Sequence, residues 1–258
     1  MTSALAPGVD ADTERRFGGL RRLYGDAGYA RLRQARVAVV GLGGVGSWAV
    51  EALARSGVAQ LVLIDLDHVA ESNINRQVQA LGSTLGMAKA EALRQRIADI
   101  HPGCQVLCIE EFAGPDNWPR LLPGPVDVLI DACDQSAAKL ALAAWALASG
   151  TPLVCVGAAG GKQQPQAVEL ADLAEATHDP LLAGLRQRLR KQGAPRTGRI
   201  GLRCVFSREP VAAPLGDDSC ATDGTLNCAG YGSAVPVTAT FGLVAASEAL
   251  RLVMSTAR

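Results

Sequence analysis

The sequence predicts an α/β fold, a mostly parallel sheet with helices on both faces, and three observations predict it. Short strand-like runs recur at 37–41, 61–65, 105–110, 126–131 and 152–157. Helical candidates at 44–56, 84–99 and 136–149 alternate with them. The first two strands are continuous apolar runs, as expected when helices cover both faces of a parallel sheet.

The first strand ends in glycines at 41, 43 and 46, and a helix-like stretch from Trp48 to Arg55 follows. Backbone amides at such a strand–turn–helix junction hold phosphate, and glycine lets the backbone approach the ligand closely. Gly41, Gly43, Gly44 and Gly46 are therefore nucleotide-binding candidates in a Rossmann-like sheet. Asp65 ends the second strand, 24 residues after Gly41, where an acid can accept from ribose hydroxyls or else cap the following turn. Those two features alone favour a dinucleotide oxidoreductase. The next segment argues otherwise. Ser72, Asn73, Asn75, Arg76 and Gln77 form a polar cluster, and Lys89 opens the next helix. A planar guanidinium and a point-charge ammonium converging on a glycine loop suit a triphosphate. Arg76 taken singly also reads as a surface ion pair. Asp131 and Asp134 lie at the carboxyl end of the fourth strand, where open α/β sheets bind ligands. They can hold magnesium beside phosphates or cap the helix that begins near Gln135.

The chain has 258 residues, 48% hydrophobic and 19% charged, with a formal net charge of zero. It reads as globular, and not as an electrostatic nucleic-acid binder taken whole. No pair among the seven cysteines has C-x-x-C spacing, which removes a four-thiolate zinc site and fits reduced thiols in a cytoplasmic protein. Residues 1–15 have no apolar signal core and read as a mobile leader. Leu23 to Arg33 reads as a short helix. Residues 16–161 form the nucleotide-binding core, 162–235 a basic, loop-rich substrate segment, and 236–258 a C-terminal helix within one domain. The apolar stretch from Val235 to Met254 reads as a buried helix, because Glu248 and Arg251 interrupt it and Pro236 and Gly242 break it. Arg186, Arg188, Arg190, Lys191, Arg196, Arg199 and Arg203 fall in eighteen residues without an acid. That run is either a solvated face or a surface for a polyanion. His68, His101 and His178 show no ligand spacing and read as surface or loop histidines.

Gly41-x-Gly-Gly-Val-Gly-Ser47, Asp65 with Asp67, Ser72-Asn-x-Asn-Arg-Gln77, Lys89, and Asp131 with Asp134 together resemble the ubiquitin-activating-enzyme-like adenylating family. The resemblance implies that Asp65 holds the ribose, that Asn73, Arg76 and Lys89 contact the triphosphate, and that Asp134, helped by Asp131, coordinates Mg2+. It implies ATP-driven adenylation of a carboxylate. Asp179-Pro-Leu, Gly201-Leu-Arg-Cys-Val-Phe-Ser207 and Asn227-Cys-Ala-Gly-Tyr-Gly232 are similar to one branch of the family, the dehydratases acting on threonylcarbamoyladenosine beside the anticodon of tRNA. This implies tRNA and not DNA as the partner, with Arg186 to Arg199 as its surface. It also implies a homodimer with Arg22 or Arg16 crossing to the second copy, and a cysteine desulfurase or sulfur-acceptor system as a further partner. A sodium or potassium ion comes with the resemblance, and these residues offer it no position. Cys228 is a candidate nucleophile by the same likeness, although ring closure within one substrate has a high effective concentration and requires no thiol relay. The alternative is an adenylyltransferase activating the C-terminus of a ubiquitin-like sulfur carrier. Its usual paired zinc cysteines are missing here.

Overall fold

The computed structural model describes residues 12–212 and 231–255. Its strands are β1 (Arg36–Val40), β2 (Gln60–Ile64), β3 (Gln105–Ile109), β4 (Val128–Asp131), β5 (Leu153–Val156), β6 (Val168–Asp172) and β7 (Arg203–Ser207). Its helices are α1 (Thr13–Leu32), α2 (Gly46–Arg55), α3 (Lys89–Ile100), α4 (Ser136–Ser149), α5 (Pro180–Lys191) and α6 (Val235–Ser255). The strands form one sheet in the order β3-β2-β1-β4-β5-β7-β6. Every neighbouring pair is parallel except β6 with β7. The chain winds one way from β1 to β3 and the other way from β4 onward. The gap beyond the ends of β1 and β4 is therefore the switch point, where ligands bind in such sheets.

Alternation along β1 explains the two-sided core. Val37 and Val39 face a cluster with Leu53, Leu93 and Phe241, from α2, α3 and α6. Ala38 and Val40 face another with Leu142, Leu182 and Phe206, from α4, α5 and β7. Successive side chains on a strand point to opposite faces, so both must be apolar.

Four expectations change. The helix expected over Leu23–Arg33 reaches back to Thr13, inside the span read as a leader, and is bent at Gly25. Asp12 caps it, accepting from Arg15 N at 3.0 Å. The segment read as loop-rich adds β6, α5 and β7 to the same sheet. Asp179 caps α5 by accepting from Leu182 N at 2.9 Å. α6 runs unbroken through Pro236 and Gly242. Proline is tolerated in a first helical turn, and Gly242 sits where α6 crosses α2, so close that a Cβ would lie 2.4 Å from Val45 O. Among the described residues α6 alone is long and apolar enough to cross a membrane. Its Val237, Phe241, Ala245 and Ala249 are instead buried on the sheet. Lastly, His101 is buried. Its Nε2 lies 2.7 Å from Arg33 Nη1, and its ring packs against Phe17.

Candidate nucleotide site

A cavity of about 640 Å³ opens at the switch point, within the range of small-molecule sites. Gly41, Gly43 and Gly44 form one wall, and Asp65 and Asp67 a second. Ala132 to Gln135 form a third, Gly157 to Gly160 a fourth, and Arg76 and Lys89 enter between them.

The glycines divide the work. Gly41 has φ +84°, and a Cβ there would lie 2.8 Å from Cys133 N. A Cβ at Gly46 would meet Gly41 O at 1.8 Å. Gly46 therefore lets the turn close against its own strand and, contrary to expectation, does not line the cavity. Gly43 and Gly44 present backbone to it.

Asp65 is buried at the end of β2. Its Oδ2 accepts from Leu42 N at 2.6 Å and its Oδ1 from Asp67 N at 2.8 Å. Burial pushes its carboxyl above the ordinary value, outweighing Lys89 and these two amides. Lys89 Nζ lies 2.7 Å from Asp67 Oδ2, so the ammonium rests on a carboxylate at the cavity wall. Arg76 Nη1 donates to Ser72 O at 2.8 Å and Asn75 Oδ1 at 2.9 Å, and Trp48 Nε1 donates to Arg76 O at 3.0 Å. Burial lowers the Arg76 guanidinium from its usual value. Asp134 lines the cavity half-buried and makes no hydrogen bond or ion pair among the described residues.

Two expected ligands are elsewhere. Asn73 points into its own turn, where Oδ1 accepts from Ala70 N at 3.1 Å. Asp131 is fully buried under the cavity floor and paired with Lys139, Oδ2 to Nζ 2.8 Å. Neither lines the cavity. The capping alternative also fails for both acids: Gln135 holds the cap position of α4 and makes no side-chain cap bond. Arg16 is committed within the subunit, its Nη1 donating to Asp99 O and Ile100 O at 2.8 and 2.7 Å at the end of α3. Arg22 is exposed on α1 and has no partner among the described residues. Arg186 Nη1 donates to Leu173 O and Ala176 O, and Arg190 Nε to Pro195 O, so both brace loops. Arg188, Lys191, Arg196 and Arg199 are exposed. Cys228 lies outside the described residues.

The residues missed in the sequence are Phe112, Tyr231, Thr238 and the Gly157–Gly160 loop, all at the cavity. The glycine-rich run after the fifth strand was the available signal for that loop. A Cβ at Gly157 would meet Asp179 Oδ2 at 2.1 Å.

A glycine turn at the switch point of a parallel sheet, with a guanidinium and an ammonium entering beside a strand-end acid, defines a nucleotide-binding α/β protein. The chain belongs to the ThiF family, whose model matches residues 17–258. This bears out the adenylating-family likeness of the motifs. It is similar to the tRNA threonylcarbamoyladenosine dehydratase of Escherichia coli, 43% identical over 94% of this chain and 95% of that protein. The Haemophilus influenzae protein of the same name is 42% identical over 92% of each. The crystal structure of the E. coli tRNA N6-threonylcarbamoyladenosine dehydratase in complex with ATP matches with a TM-score of 0.86 and 41% identity, covering 96% of this chain and 98% of that one.

Proposed function

We propose that this chain is an ATP-dependent dehydratase of threonylcarbamoyladenosine in tRNA. The observation that carries the reading is the convergence of Gly43, Gly44, Asp65, Arg76, Lys89 and Asp134 on one cavity, in a chain so similar to proteins of that name. A carboxylate oxygen of the threonylcarbamoyl group attacks the α-phosphorus of ATP, the α–β phosphoanhydride bond breaks, and pyrophosphate leaves. The group's own ureido nitrogen or oxygen then attacks the acyl carbonyl, and a ureido N–H gives up its proton. The acyl–phosphate bond breaks and AMP departs. The ring has lost the elements of water, which ATP has taken up in becoming AMP and pyrophosphate.

Asp65 accepts from the ribose hydroxyls. Lys89 exchanges Asp67 for a phosphate oxygen, and Arg76 turns from Ser72 O toward the phosphates; charge stabilisation of this kind is commonly the largest catalytic contribution. No group of three or more metal-ligating side chains occurs among the described residues. The Asp134 carboxylate, unpaired among the described residues, fits magnesium, which is usually held by one or two carboxylates, water and substrate phosphates. The ion would neutralise phosphate charge there. The exposed Arg188, Lys191, Arg196 and Arg199 face tRNA. Arg22, without a partner among the described residues, reaches a second copy in a homodimer, the chain works in the cytoplasm, and a cysteine desulfurase system is its further partner.

The test is mass analysis of nucleosides from threonylcarbamoyl-modified tRNA incubated with the protein and ATP. Loss of one water from the modified adenosine is expected. Pyrophosphate exchange stimulated by a Gly-Gly-ended carrier protein, with the nucleoside mass unchanged, would replace this reading by sulfur-carrier activation.

A further inference from the structure

Gln79 carries a buried amide that the proposed chemistry does not use. It is 1% exposed and lies outside the nucleotide cavity. Its Nε2 donates to Leu42 O at 2.9 Å and to Gln77 Oε1 at 3.1 Å. Its Oε1 is buried with no hydrogen-bond partner among the described residues. Burying a polar atom unpaired is unfavourable, and an apolar side chain of the same size would avoid that penalty. The amide therefore contributes through its N–H groups.

Leu42 stands between the first two glycines of the turn, and its carbonyl shares a peptide plane with Gly43 N–H. In a planar trans peptide the C=O and N–H point in opposite directions. Gln79 draws Leu42 O inward, so Gly43 N–H is turned outward, to the cavity that Gly43 lines. That N–H makes no hydrogen bond among the described residues. The preceding peptide is fixed as well, Leu42 N donating to Asp65 Oδ2 at 2.6 Å. Glycine tolerates either orientation of the peptide before it, so the backbone alone does not choose between them. The reversed peptide would meet phosphates with a carbonyl oxygen.

We propose that Gln79 is a positioning residue: on the reading of the cavity as an ATP site, it orients the Leu42–Gly43 peptide so that Gly43 N–H donates to a phosphate oxygen. Gln79 itself touches no ligand and acts through Leu42 O.

The experiment titrates ATP into the wild type, Gln79→Met and Gln79→Glu, with melting temperatures taken alongside. Methionine keeps the size of the side chain and has no donor. Its ATP affinity should fall about tenfold or more, the worth of one hydrogen bond to a charged group. An ionised glutamate repels Leu42 O and accepts from a reversed Gly43 N–H, so its loss near pH ~8 should exceed that of methionine. Burial raises a carboxyl and favours the protonated acid, which donates to Leu42 O, so Gln79→Glu should regain affinity near pH ~6. The charged groups lining the cavity, Asp65, Asp67, Arg76, Lys89, Glu111 and Asp134, are common to all three proteins, so each affinity is read as a ratio to wild type at the same pH. A side chain that merely supports the fold would lower the melting temperature and leave these ratios near one and insensitive to pH. That result overturns the proposal, as does a pair of variants that lose affinity equally at both pH values or do not fold. A wild type that ignores ATP overturns the nucleotide reading as well, whereas variants matching an ATP-binding wild type overturn the role of Gln79 alone.

Discussion

Lys139→Met tests whether Asp131 is scaffold rather than ligand. Asp131 and Lys139 are both fully buried and 2.8 Å apart. Lys139 Nζ also donates to Val156 O at 2.9 Å, and Asp131 Oδ1 accepts from Cys133 N at 3.2 Å and its thiol at 2.9 Å. Burial works against the charged lysine, but Asp131 and the neighbouring thiols outweigh it and hold the ammonium above its ordinary value. A raised lysine adds stability below its unfolded value and loses it only as the pH climbs through the folded one, so the pair is intact at neutral pH. Methionine keeps the length of the side chain and strands the carboxylate. Breaking one side of a buried pair costs about 3–5 kcal/mol. At about 2–4 °C per kcal/mol for a chain of this size, the melting temperature should fall by about 6–20 °C. Lys139→Met with Asp131→Leu should recover part of that, since apolar replacement of a whole buried pair is often neutral. Cys133 N then lacks its acceptor, leaving a deficit of about 1–3 kcal/mol. Urea unfolding of the four corners of this cycle measures both numbers. A single variant within about 0.5 kcal/mol of wild type, or strictly additive effects, would refute the reasoning. So would an Asp131→Asn that loses ATP binding at unchanged stability.

Arg76→Ala and Lys89→Ala should each lower turnover roughly a hundredfold or more with the circular dichroism spectrum retained, and wild-type rates in either would remove the triphosphate assignment. Changing Arg188, Lys191, Arg196 and Arg199 to Gln should weaken tRNA binding and reduce the slope of log K against log salt by about 0.7–0.9 for each phosphate no longer neutralised; an unaltered slope returns the run to a solvated face. His101 is held down to about 4 by burial, then by Arg33 and Arg16, so its neutral form is favoured in the fold. Stability should therefore be full above the ordinary histidine value of about 6.5 and fall as the pH drops from there toward 4, a slope that His101→Gln removes in acid-titrated thermal melts. Cys228→Ser should retain dehydration of the modified nucleoside, because intramolecular attack needs no thiol; loss of turnover with intact adenylation would make that thiol catalytic.

The first five strands and the helices between them were legible because each is a strong local signal: apolar runs of strand length, a glycine turn, helical spacing. β6 and β7 were not. β6 carries Glu169 and Asp172 in five residues and is mostly half-buried at the sheet edge, so its strand character comes from pairing with β7 rather than from composition. The basic run was misleading for a similar reason. It contains no acid, yet Arg203 pairs with Glu248 at 2.8 Å across 45 residues, and Arg186 is held by carbonyls. Charge compensation is a property of space, and a window of sequence registers only the neighbours along the chain.

The two aspartates after β4 show the limit most clearly. Both lie at the carboxyl end of the fourth strand-like run, and either could face phosphates on spacing alone. Asp131 is the last residue of β4, and its side chain meets Lys139 projecting back from the start of α4. Asp134 lies beyond the strand in the loop, on the cavity wall. Which acid is consumed internally depends on a lysine eight residues downstream whose burial no hydropathy pattern announces, since lysine is almost never fully buried unless paired. Lys139, buried away from the cavity, ties Asp131 to Val156 O, at the ends of the two strands that lead into the cavity walls. Neither Asp131 nor Lys139 lines the cavity, so Lys139→Met should weaken ATP in a binding titration with every lining side chain unchanged.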